Sequence, residues 1–140
     1  MRSNIKYLSV LFGIFLSLAG PSHSQTPRQV DDFTTAVKFD DVAEVKSLLK
    51  SGVNPNLLDS KGNPMLVLAI REKSAKVTDL LLSEPSIDVN LTNKSGENAL
   101  MMASFDGQFP VVKALVIDKK AAVNKTGWAP IHYAATNGHL

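Results

Sequence analysis

The sequence predicts an all-α solenoid of stacked helix–turn–helix units joined by extended loops. Three observations carry that prediction. Asn56, Asn90 and Asn124 stand 34 residues apart, each closing an apolar stretch, so one structural unit recurs along the chain. Aligned on this period, Gly62, Gly96 and Gly127 share a position, Leu66, Leu100 and Ile131 fall four residues later, and Ala69, Ala103 and Ala134 three after that. Each unit also carries apolar residues spaced by three and four, which places them on one stripe of a helix. A unit of this length cannot bury such a stripe alone. Neighbours must stack, and the extended surface of a stack is suited to binding.

Ahead of the units, Met1 to Lys6 carries two positive charges, a mostly apolar run extends from Tyr7 to Gly20, and Pro21-Ser22-His23-Ser24 follows. This reads as a signal peptide over residues 1–24, with small Ser22 and Ser24 placing cleavage before Gln25. The apolar run of 14 residues is shorter than the about 20 needed to span a bilayer, so no membrane association is expected after cleavage. There is no twin arginine, and no cysteine follows that could take a lipid. Loss of Arg2 and Lys6 takes the formal net charge from +2 to zero and leaves only the short Lys119-Lys120 pair as a basic feature. Nucleic acid is therefore not an expected partner, because phosphate neutralisation needs a basic stripe. The chain has no cysteine, which excludes a disulfide framework and thiol chemistry. An exported domain without such staples points to a bacterial periplasm or exterior.

Residues 25–140 form the repeat domain, with units at about 31–59, 60–93 and 94–126 and a partial unit at 127–140. The second helix of the first unit carries Val45, Leu48 and Leu49, and Gly52-Val53-Asn54-Pro55-Asn56 leads onward. In the second unit a helix begins at Pro64, where a missing N–H costs nothing, with Asn63 as its N-cap. Val77, Leu80, Leu81 and Leu82 mark the next helix, and Ser83-Glu84-Pro85-Ser86 adds a residue before the loop Ile87-Asp88-Val89-Asn90. The third unit starts a helix at Ala99 behind Asn98, then sets Pro110 near the start of a helix bearing Val111, Val112, Leu115 and Val116. Ala121-Ala122-Val123-Asn124 closes it. The last helix begins at Pro130, and the chain reaches Leu140 where a partner helix is due. That leaves Ile131, Ala134 and the Val112 and Leu115 stripe short of cover, so at least one further helix is expected beyond Leu140.

The stretch Gly127-Trp128-Ala129-Pro130-Ile131-His132-Tyr133-Ala134-Ala135-Thr136-Asn137-Gly138-His139 resembles the ankyrin repeat motif G-x-T-P-L-H-x-A-A-x-x-G-H. Asp41 to Gly52 is similar to the second helix of a first repeat. The resemblance implies that His132 and His139 brace turns. It also exposes departures: Pro64-Met65-Leu66-Val67 and Asn98-Ala99-Leu100-Met101 lack the Thr-Pro-Leu-His tetrapeptide, and Lys73 stands where the inter-helix glycine is usual. Partners of such arrays meet the loop tips and outward positions of the first helices. Carried across, that surface comprises Lys61, Asn63, Leu68 and Arg71, then Lys94, Glu97, Met102 and Phe105, then Trp128 and Tyr133. Aromatic and arginine residues are the types that interface hot spots favour.

Nothing comparable supports chemistry. There is no nucleophile elbow, glycine-rich phosphate loop or zinc spacing. Asp31-Asp32 and Asp40-Asp41 read as charges placed before helices, where they complement the helix dipole. No catalytic residue, metal site or cofactor is expected, and the partner expected is another protein. The resemblance implies a non-catalytic interaction module in the periplasm or exterior that supports or protects an envelope enzyme such as a catalase. The alternatives are a secreted effector that meets a host protein, and the targeting arm of an enzyme whose catalytic domain lies beyond Leu140.

Overall fold

Thr26 and Gln29 open the stack. Thr26 Oγ1 accepts a hydrogen bond from the Gln29 N–H at 3.2 Å, Gln29 Oε1 accepts from the Thr26 N–H at 2.9 Å, and Pro27 occupies the first helical position. This reciprocal capping box satisfies donors that a helix start otherwise leaves open. The computed structural model describes residues 24–123 and 129–139. The signal peptide up to His23, the repeat positions Asn124 and Gly127, the interface candidate Trp128 and the end at Leu140 lie outside the described residues.

The elements are α1 (Pro27–Lys38), α2 (Val42–Lys50), α3 (Met65–Arg71), α4 (Ala75–Ser83), α5 (Ala99–Phe105), α6 (Phe109–Lys113), which runs on as π-helix over Ala114–Asp118, and α7 (Pro130–Thr136). The fold is all-α. Among the described residues the only extended pairing is an isolated antiparallel bridge between Leu58 and Pro64. Helices α1, α3, α5 and α7 pack side by side in one layer, and α2 and α4 pack in a second. One apolar cluster runs through the units, from Phe33 and Val37 through Leu68, Ile70 and Leu81 to Leu100 and Leu115.

Side chains bond unit to unit and account for the sequence period. Asn56 Nδ2 donates to the Ser86 carbonyl at 2.8 Å, and Asn56 Oδ1 accepts from the Asp88 N–H at 2.8 Å. One period later, Asn90 Oδ1 accepts from the Ala122 N–H at 3.0 Å. The recurring asparagine is thus a clip between successive extended segments, whose backbone groups have no helix or sheet to satisfy them. Turns are clipped likewise: Ser74 Oγ donates to the Val37 carbonyl at 2.6 Å and Gln108 Nε2 to the Ile70 carbonyl at 2.8 Å.

Several local expectations need correction. Pro64, not Asn63, is the N-cap of α3, because its extended backbone (φ −57°, ψ 141°) delays the helix to Met65. Asn98 does cap α5, accepting from the Met101 N–H at 3.0 Å. Asp31 and Asp32 lie inside α1, which starts earlier than the apolar pattern indicated, and Asp32 faces Arg28 at 3.7 Å. Asp41 caps its own helix α2. Asp40 instead reaches the next unit and accepts from the Val77 N–H at 2.8 Å, in the first turn of α4.

The third unit holds one more residue than the first between its two left-handed turns, Gly107 to Lys120 against Asp40 to Gly52. The π winding takes up that residue, as a single-turn insertion in a helix does. It turns Leu115 fully into the core and leaves Val116 37% exposed, so Val116 is not part of the buried stripe and Leu115 has not lost its cover. Val112 is half-buried, whereas Ile131 on α7 is exposed.

Candidate interaction groove

Two loops with the same hydrogen-bond frame lead into the first helices. In the first, Asp59 Oδ1 accepts from the backbone N–H groups of Lys61 at 2.9 Å and Asn63 at 2.8 Å. The Asn63 amide also donates to Asp59, at 2.9 Å to Oδ2. In the second, Asn93 Oδ1 accepts from the N–H groups of Ser95 and Glu97, both at 3.0 Å, and Asn93 Nδ2 donates to Glu97 Oε2 at 2.8 Å. Gly62 and Gly96 hold the matching turn positions with φ of +86° and +78°, a region that disfavours other residues. The acid is therefore the first partner in one loop and the last in the other.

That exchange decides what each acid can do. Asp59 is buried. Burial pushes its carboxyl up, but the bonds from Asn63 and Lys61 and the charge of Arg71 outweigh it and hold the pKa below the usual aspartate value. Glu97 is only half-buried and accepts from the Tyr133 hydroxyl on α7. Burial, then the Glu97 charge and this hydrogen bond, raise the Tyr133 pKa, so the phenol stays protonated and donating.

Glu97, Arg71, Met102, Phe105, Asp106 and Tyr133 line a groove of about 290 Å³ between the C-terminal ends of α3 and α5 and the face of α7. Met102 is a buried floor. Phe105, at the last position of α5, is 38% exposed, and its ring meets the Tyr133 ring edge-on, with centroids 6.4 Å apart and planes at 78°. Arg71 sits at the opposite rim, 3.7 Å from Glu72 and donating to Asn63 Oδ1 at 3.3 Å. A volume at the bottom of the range for small-molecule sites, about 300–1,000 Å³, suits a partner's protruding side chain.

The structure brings together five of the residues singled out in the sequence: Arg71, Glu97, Met102, Phe105 and Tyr133. Lys61 and Lys94 are exposed at the loop tips, and the Lys94 stem lies across Gly62, so they flank the groove without lining it. Two assignments fail. Leu68 is fully buried, because α3 lies between α1 and α5 and every residue from Met65 to Ile70 is inside. Asn63 is buried too and serves the first loop. Sequence reasoning missed Asp106, which follows Phe105 at the end of α5; a carboxylate beside an exposed aromatic at a helix end was the available signal.

The two histidines of the last unit serve turns. His132 Nδ1 accepts from the Ala129 N–H at 3.1 Å, and the His139 ring lies over Gly107 and edge-on to Phe109 at 6.3 Å between centroids. Among the described residues no three His, Cys, Asp or Glu side chains are grouped to hold a metal ion, and no helix is long and apolar enough to cross a membrane.

Comparison with known proteins gives a consistent result. A family model described as ankyrin repeats (3 copies) matches residues 33–124 and 77–140. The chain is 35% identical over 107 residues to the human transient receptor potential cation channel subfamily A member 1, which covers 74% of this chain and 9% of that protein. It is 36% identical over 95 residues to the nuclear factor NF-kappa-B p105 subunit of Gallus gallus, covering 64% and 10%. A probable E3 ubiquitin-protein ligase of Oryza sativa subsp. japonica is 31% identical over 134 residues, covering 89% and 26%. The chain thus spans about a tenth to a quarter of the length of these relatives.

Proposed function

The chain belongs to the ankyrin repeat family, whose repeats are protein-interaction modules, and from that premise we propose that it is a non-catalytic binder exported to the bacterial periplasm or exterior. Its partner is another protein, seated in the groove lined by Glu97, Phe105 and Tyr133. One observation carries this reading. A half-open aromatic corner lies beside charged groups on the side of the stack where the first helices end, and the repeat core does not need it. The basic start, apolar run and Ser22-x-Ser24 site support export, and support or protection of an envelope enzyme is the role that fits such a location.

The test is capture of the partner from an envelope fraction by the full-length protein. The Arg71→Glu, Phe105→Ala double variant is expected to lose capture while keeping its helical circular dichroism. Retained capture by the double variant, with loss on changing exposed residues of α4 such as Lys76, places binding on the other face. Mass spectrometry of the exported protein is expected to find Gln25 at its N-terminus; an intact Met1 form held in the membrane contradicts export with cleavage.

A further inference from the structure

We propose that the groove selects a partner by a single basic side chain, an arginine or lysine, inserted beside Phe105 and Tyr133 and paired with Asp106. The inference rests on the reading of this groove as the partner site. The Arg71 guanidinium faces Glu72 at 3.7 Å, donates to Asn63 and feels the Asp59 carboxylate. Glu97 has the Asn93 amide and the Tyr133 hydroxyl, both neutral donors that leave its charge in place. Asp106 lines the groove half-buried, and among the described residues no side chain pairs with its carboxylate. Among the described residues the groove thus presents two carboxylates, while its one cation is turned toward acids of its own unit.

The walls suit the rest of such a side chain. Met102 and the two rings, set nearly at right angles, form an apolar corner that can take the methylene stem. A cation within about 6 Å of a ring face is also attracted by its quadrupole. An acidic anchor meets two like charges there. A purely apolar one leaves the half-buried Asp106 carboxylate desolvated and unpaired.

The experiment is selection of random 12-residue peptides displayed on phage against the full chain, followed by affinity measurement on the selected peptides made synthetically. Expected are binders with one indispensable Arg or Lys. Changing it to citrulline or glutamine, or changing the protein at Asp106→Asn, should each weaken binding about tenfold, and the two changes together little more than either alone. Phe105→Ala should abolish binding. Asparagine is tolerated at a helix end, and circular dichroism of each variant verifies the fold. Binders lost in Phe105→Ala that carry no essential basic residue and ignore Asp106→Asn overturn the basic anchor and leave the groove standing. Binders indifferent to both variants but lost in Phe39→Ala place the site at the cleft of Asp32, Phe39, Asp41 and Glu44 and overturn both readings. A selection that yields no binder counts against the groove itself.

Discussion

The loop from Asp59 to Asn63 and the loop from Asn93 to Glu97 build one turn with the acid and the amide exchanged. Both need a side-chain oxygen at the first position to collect two backbone N–H groups, and an amide–carboxylate bond across the turn. Neither need fixes which end carries the charge. In the first loop the charge is buried and serves the fold; in the second it sits at the edge of the groove and meets Tyr133. A repeat can thus move a charge from the core to the edge of the groove without altering the frame that holds the loop.

The largest effect is expected at Asp59. Asp59→Ala strands the buried Asn63 N–H and amide and should cost about 2–3 kcal/mol in urea unfolding, whereas Asn93→Ala, in a loop that water reaches, should cost about 1 kcal/mol. Equal costs mean that the two loops are not divided as described. The same acid carries a pH dependence. Its folded pKa is below 3.8, so its contribution is complete above that pH and is lost as pH falls through the folded value. Asp59→Asn should flatten the acid limb of a stability profile below about pH 4, and an unchanged limb contradicts the assignment.

A second contrast lies in the turns between helices. Gly107 and Lys73 take the same left-handed backbone, with φ of +64° and +59°. A Cβ on Gly107 falls 2.6 Å from the His139 ring, so Gly107→Ala combines backbone strain with displacement of that ring and should cost about 1–2 kcal/mol. Lys73→Gly relieves strain but frees the unfolded chain, and a net gain of about 0.5 kcal/mol is expected from denaturant midpoints. Loss of stability in Lys73→Gly means that the lysine stem does something there beyond filling a turn. The smallest effect is at Glu97→Gln, which retains an acceptor for Asn93 and should stay within about 0.5 kcal/mol of the parent.

The fold was largely legible because the repeat is written in residue types that each have one physical use. Glycines mark left-handed turns, alanines mark close packing, and leucines mark one stripe per helix. The 34-residue asparagine spacing was visible before its purpose was. Only the fold shows that Asn56 and Asn90 bond to the following unit, since those contacts span about thirty residues of chain. The start of α1 is written in Thr26 and Gln29, outside the apolar pattern, which begins later. Leu68 was misplaced because a seven-residue helix clamped between two others has no outward aliphatic position, and periodicity alone cannot tell a one-sided helix from an enclosed one. The π winding at Ala114–Asp118 was hidden for a related reason: one inserted residue shifts a stripe without altering its composition.

Site-directed photocrosslinking in the producing cell reads out whether partners meet the groove side of the stack. A benzophenone amino acid at Lys94, on the tip of the second loop, is compared with one at Lys76, exposed on α4. Binding on the groove side predicts a discrete protein adduct from position 94, lost on adding Phe105→Ala, and none from position 76. An adduct from position 76 with none from position 94 contradicts it.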